Sequence, residues 1–383
     1  MKHRAKLAAC LIATLSAVLA SAQVPSTQEG SISQTTTSPN AYVYVISRLS
    51  NNSSELDGYS ADSNGALTRL AGSPFWTSNS LYTTGLANTA HWLFVSDGVY
   101  IYTFSIASNG TLKQVSSINA QNFTGSTCGE VGSLFLDHTG STLYALNIYS
   151  DCANNTIQSF AKNSSTGTLT YLGDSSPSAA LWGPVSFIGN NLYGYNASFI
   201  QMSAAFYAVS RSSNGALARF TINPTIPTNP NGNYCPDGQA ADPASDVAVA
   251  FILECQPPAQ LGVYTADSFG NLTTNSTYQN MPTAAVGLPE SMAASPAGNL
   301  LALGGASGLQ VFYFNGSNPI TPYTGLLAVH ELSRLAWDTH NHLYGISPSG
   351  RLYAFKVTTT GHKQASGSPY TISNPQAITV LSK

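Results

Sequence analysis

The sequence predicts an all-β protein, a seven-bladed β-propeller of four-stranded antiparallel blades closed by its C-terminal strand. Three observations predict it. First, short runs rich in β-branched and aromatic residues fill the chain, as in Trp92-Leu93-Phe94-Val95-Ser96 and Val99-Tyr100-Ile101-Tyr102-Thr103-Phe104. Apolar and polar residues partly alternate in them, the pattern of strands packed on at least one face. Second, a turn of the form Asn-Gly-x-Leu recurs, with marker glycines at 65, 110, 167, 215, 270, 316 and 361, spaced 45 to 57 residues apart. A period of about 40–50 residues with four short strands per unit marks a propeller. Seven markers give seven blades. Third, a paired motif of strand, tight turn and second strand repeats. It appears as Pro289-Glu290-Ser291-Met292-Ala293-Ala294-Ser295-Pro296-Ala297-Gly298-Asn299-Leu300, and again around Asp137-His138-Thr139-Gly140 and Asp338-Thr339-His340-Asn341.

Taken in order, residues 1–22 read as a secretory signal peptide. Lys2, Arg4 and Lys6 give a basic start, Leu7 to Ala20 is apolar but short for a bilayer span, and Ala20-Ser21-Ala22 is a small-x-small cleavage site. Its removal takes the formal charge from −3 to −6. A mildly acidic chain with 8% charged residues argues against nucleic acid and against an anionic membrane surface as partners. The expected location is secreted or periplasmic, with no membrane span after cleavage. Residues 23–40 are rich in Ser, Thr, Gln and Pro and read as a flexible leader.

The propeller is expected over residues 41–383. It opens in the middle of a blade, because Tyr42-Val43-Tyr44-Val45-Ile46 matches a second strand. The missing inner strand is found at the far end, in Asn374-Pro375-Gln376-Ala377-Ile378-Thr379-Val380-Leu381. Pairing the two removes the last open edge.

The mature chain would hold four cysteines, which allow three pairings. Cys128 and Cys152 bracket the first two strands of one blade. Cys235 and Cys255 take the same two places two blades later. The start of strand one and the end of strand two share a face in an up-and-down blade, so the expected disulfides are Cys128–Cys152 and Cys235–Cys255. Each would add about 3 kcal/mol if unstrained. Residues 221–246, rich in Pro, Asn, Gly and Asp, read as a long surface loop stapled by Cys235.

No nucleophile elbow, zinc-protease helix, phosphate loop or EF-hand run is present. No cofactor and no metal are expected. His340 and His342, beside Asp338, read as solvated turn residues rather than a metal pair. His330, Glu331 and Arg334 fall at the start of an inner strand, bordering the central channel of a propeller, and Glu130 and Glu290 fall at comparable places in other blades. Carboxylates, an imidazole and a guanidinium around one channel mouth suit a polar ligand or acid–base chemistry. Glu290, Glu130, His330 and Arg334 are therefore the candidate site residues.

The repeated grammar resembles the lactonase-like seven-bladed propellers, which include propeller-type 6-phosphogluconolactonases and YVTN-repeat proteins. The residues that carry it are Gly65-Ala66-Leu67-Thr68-Arg69-Leu70-Ala71-Gly72-Ser73-Pro74-Phe75, Ser295-Pro296-Ala297-Gly298-Asn299 and Gly367-Ser368-Pro369-Tyr370. The resemblance implies the propeller fold and the possibility of lactone chemistry. Enzymatic members of that family commonly carry Gly-Pro-Arg-His before an inner strand, where this chain has Gly287-Leu288-Pro289-Glu290-Ser291. The first reading of function is therefore an exported lactonase-like scaffold that binds a small molecule, carbohydrate or protein. The alternative is a hydrolase acting on a lactone or sugar-derived ester at the channel mouth.

Overall fold

In the computed structural model the described residues are 38–383, apart from 81, 124–129, 150–155, 176–182 and 201–202. The expected signal peptide, nearly all of the leader, and both Cys128 and Cys152 lie outside them. The strands of the described residues form seven antiparallel sheets, and the only helical element among them is one 3-10 turn at Ala120–Phe123. The chain is a seven-bladed propeller. No helix of the described residues is long and apolar enough to cross a membrane.

Blade 1 is built from both ends of the chain. Its inner strand is Pro375–Ser382, which pairs antiparallel with Ala41–Arg48 from Ala41↔Ser382 to Ser47↔Pro375. The inner strands of blades 2 to 7 are Gly85–Asn88, Glu130–Leu136, Ser186–Phe187, Tyr234–Ala241, Pro289–Ala294 and Arg334–Trp337. Each is followed in its blade by strands progressively further from the axis. Blades 1 and 7 gain a fifth short strand, at Trp76–Ser78 and Tyr370–Thr371.

Each blade lies between two others, so its second strand is buried on both faces. That is why Ala41-Tyr42-Val43-Tyr44-Val45-Ile46 is apolar throughout rather than alternating, and every one of these residues is buried. The apolar core is divided into seven clusters, one at each junction between blades. The blade 7–blade 1 junction, for example, packs Tyr344, Ile346 and Leu352 against Val43, Val45 and Tyr59.

The marker turns explain the period. Six of the seven glycines have left-handed backbone, such as Gly65 at φ 80° and Gly110 at φ 82°, while Gly361 lies within the outer strand Gly361–Gln364. Six of the seven turns accept a side-chain contact from the preceding blade. The Tyr44 hydroxyl donates to Gly110 O at 2.8 Å, Tyr144 to Gly215 O at 2.8 Å and Tyr195 to Gly270 O at 2.7 Å. Trp92 Nε1 donates to Ser164 O at 3.1 Å, and Tyr313 to Thr359 O at 2.9 Å.

At the blade 7–blade 1 junction the equivalent tyrosine, Tyr344, donates to Asp338 instead, and His342, two residues earlier, reaches the turn with Nε2 lying 3.2 Å from Ser63 O. This corrects the expectation of solvated turn histidines. His342 and Asp338 are fully buried, and His340 is half-buried. Asp338 accepts from the backbone amides of His340 and His342 at 2.8 Å each, contacts His342 Nδ1 at 2.7 Å and accepts from the Tyr344 hydroxyl at 3.2 Å. The sequence showed polar residues in a turn. It did not show that the next blade would cover that turn.

The expected loop at 221–246 is also shorter than its composition suggests. Residues 234–241 form the inner strand of blade 5, and the second strand starts at Asp246. Pro and Asp there sit in a strand interrupted by a bulge, which reads as loop by composition alone.

Candidate functional site

In an up-and-down propeller every inner strand starts at the same end of the channel. A cavity of about 720 Å³ occupies that end, and all seven inner strands or the residues just before them contribute to its wall. Its size is that of a pocket for a small molecule. The wall mixes apolar side chains such as Leu134, Ile252, Met292 and Leu335 with Asp237, Gln239, Glu290 and Arg334.

Local backbone irregularity aims the polar groups. In four blades the inner strand loses register near its start. Gln376 lies between the paired residues Pro375 and Ala377 of blade 1, and Gly132 between Val131 and Ser133 of blade 3. Blade 5 has Asp237 and Gly238 opposite a single partner position, and blade 6 has Glu290 as the extra residue between Pro289 and Ser291. A bulge places a side chain where regular alternation would not. Gly238, at φ 106°, occupies backbone that glycine adopts without strain. Two cavity carboxylates, Asp237 and Glu290, therefore come from bulges in neighbouring blades.

Of the four candidate residues, the structure brings two together. Glu290 and Arg334 both line the cavity. Glu130 begins the inner strand of blade 3 but is not part of the cavity wall. Its Oε2 is buried without a hydrogen-bond partner among the described residues, and burial raises its pKa. His330 is exposed in the connection between blades 6 and 7 and lies off the wall. Asp237 joins the site unannounced, since it sat inside the stretch read as loop. The signal that could have found it was Cys235, which already fixed the start of that inner strand.

The electrostatics follow from placement. Burial pushes the Glu290 carboxyl above the ordinary glutamate value, the Glu331 charge pushes the same way, the Arg334 guanidinium opposes, and Asp237 adds a smaller upward push. Asp237 is raised by burial, and its carboxylate makes no side-chain hydrogen bond with any described residue. Arg334 Nη1 donates to Ser333 O at 2.7 Å. Gln239 is fixed at both ends of its amide: Oε1 accepts from Ala197 N at 2.9 Å and Nε2 donates to Pro184 O at 2.9 Å. One lone pair and one N–H remain on it for a ligand. No group of three or more His, Cys, Asp or Glu among the described residues is arranged to hold a metal.

The expected Cys235–Cys255 disulfide is formed, with its Cα atoms 5.4 Å apart. Cys255 reaches the cavity wall. The bridge ties the start of the blade 5 inner strand to the turn that follows the second strand, so it holds one side of the mouth.

No protein-family model matches the chain, and a search of curated proteins finds no match. Solved structures do match. The periplasmic gluconolactonase of Pseudomonas aeruginosa aligns with TM-score 0.64 at 14% identity, covering 89% of this chain and 99% of that one. A Bacteroides fragilis protein proposed to be a 6-phosphogluconolactonase aligns with TM-score 0.64 at 12% identity, covering 91% and 100%. The fold is that of the lactonase-like propellers. It is not confined to them: a hypothetical selenium-binding protein of Sulfolobus tokodaii aligns with TM-score 0.59 at 9% identity over 90% and 94%. Identities this low carry the fold and leave the chemistry to the site.

Proposed function

We propose that this is an exported propeller that binds a small, sugar-derived ligand in the mouth of its central channel. The observation that carries the reading is the 720 Å³ cavity, whose wall sets Asp237, Gln239, Glu290, Arg334 and several hydroxyls among apolar side chains such as Leu134, Ile252 and Met292. A wall that mixes apolar patches with placed polar groups suits the faces and hydroxyls of a sugar ring. Export is supported by the Cys235–Cys255 bridge and by the signal-like residues 1–22.

A second reading, lactone hydrolysis, is favoured by one feature. Glu290, a carboxylate of raised pKa, shares the cavity with a guanidinium. In that reading Glu290 takes a proton from water as the water oxygen bonds to the lactone carbonyl carbon. Arg334 stabilises the oxyanion. The carbon–ring oxygen bond then breaks, and the proton returns to the leaving oxygen.

The deciding experiment is base uptake at constant pH by the purified protein over a panel of aldonolactones, with Glu290→Gln beside it. Turnover lost in the variant supports hydrolysis at the mouth. Absence of turnover together with saturable binding of the same sugars by calorimetry supports the binding reading. Absence of both overturns the channel-mouth assignment.

A further inference from the structure

The charges around this cavity are unbalanced, and their imbalance bears on which sugars can enter. Of the described residues on the wall, Asp237 and Glu290 are acidic and Arg334 alone is basic. Glu331 lies close enough for its charge to act on Glu290. The guanidinium is already engaged: it donates to Ser333 O, and its field falls on Glu290. His330, the nearest other basic candidate in the sequence, is off the wall.

A phosphate or carboxylate ligand needs uncompensated cations or several converging N–H donors. This mouth offers mainly acceptors. The Asp237 carboxylate, which makes no hydrogen bond with a described residue, is an acceptor on the wall, and Thr84, Ser133, Ser186 and Ser291 add hydroxyls that either donate or accept. Hydroxyl-rich neutral molecules fit that inventory, and anions meet like charge.

We infer that the site selects uncharged polyhydroxylated ligands, such as an unphosphorylated sugar lactone or cyclic polyol, and rejects their phosphorylated counterparts. The inference rests on the channel-mouth reading above and deepens it. It has a corollary for the hydrolytic alternative. Opening a neutral lactone yields a carboxylate, so the charges that admit the substrate would also expel the product.

The test is calorimetric titration of the full-length protein with matched pairs: 1,5-anhydroglucitol against its 6-phosphate, and freshly dissolved glucono-1,5-lactone against its 6-phosphate. The neutral member is expected to bind at least about tenfold more tightly at low ionic strength, a gap of the size Coulomb repulsion across a solvated mouth can produce. The gap should narrow in 0.5 M salt, where the Debye length falls to a few ångströms. In the Asp237→Asn, Glu290→Gln, Glu331→Gln triple variant it should close through stronger binding of the phosphorylated member. Equal or tighter binding of the phosphorylated member by the unmodified protein overturns the charge selection and leaves the mouth site standing. Binding of neither member overturns the mouth site itself.

Discussion

On the face opposite the mouth, the same contact recurs from blade to blade. A side chain on one blade, Tyr44, Tyr144, Tyr195 or His342, reaches a backbone carbonyl in the marker turn of the next. At the mouth the blades do not share one contact. The residues there are Thr84, Glu130, Asp237, Glu290, Arg334 and Gln376, each in its own backbone setting. The first face solves one packing problem again and again, and the turn that solves it is written seven times in the sequence. The second is free to vary because closure of the ring does not depend on it. A variant that damages the first face should cost stability, and one at the mouth should cost binding.

The largest effect belongs to the ring closure. Deleting residues 375–383 removes the inner strand of blade 1 and exposes the edge of Ala41–Arg48 along its length. Together with the open junction to blade 2, this is expected to abolish the soluble monomer, read by gel filtration and circular dichroism. A truncated chain that stays monomeric and unfolds cooperatively would show that the blades stand without closure.

Next comes the junction where a histidine and an aspartate join the contact. Asp338→Ala strips the acceptor from two backbone amides, the His342 ring and the Tyr344 hydroxyl, all in a buried site. Breaking such a buried hydrogen-bonded set costs about 3–5 kcal/mol, measured by urea unfolding. Tyr195→Phe, which deletes a single hydroxyl bonded to Gly270 O, should cost only about 1 kcal/mol. Sugar binding in both variants should match the unmodified protein whenever they are folded.

The same division sets what the sequence revealed. Blade number, closure by the C-terminal strand and the Cys235–Cys255 bridge all followed from repetition, because each depends on a feature present in several copies. The site was legible only in part. Glu290 and Arg334 could be placed at strand starts by analogy between blades, and they meet in the cavity. Glu130 occupies an equivalent place but lies off the cavity wall, so position in the repeat was not enough. Asp237 was hidden because a bulge is an interruption of pattern, and its Pro-Asp-Gly composition looks like a turn. His342 was misplaced for the converse reason. Its turn chemistry was read correctly, but burial there is imposed by blade 1, far away in sequence.

The smallest effect tests the mouth from the stability side. Burial raises the Asp237 pKa, so the folded protein holds that proton more tightly than the unfolded chain does. Whatever stability the protonated form contributes is fully present below about pH 4, the ordinary aspartate range, and is lost as pH rises through the higher folded value. At neutral pH the ionised carboxylate is therefore a liability to the fold. Asp237→Asn removes the titration, so its melting temperature at pH 7 should equal or slightly exceed that of the unmodified protein. The difference should shrink as pH is lowered toward 4. Affinity for neutral sugars should fall in the same variant, since an acceptor oxygen becomes an amide nitrogen. A residue that lowers stability while supporting binding is what a functional site leaves in a fold otherwise built for packing. An Asp237→Asn protein less stable at pH 7 than at pH 4, relative to its parent, would instead make Asp237 a structural anchor of the blade 5 bulge.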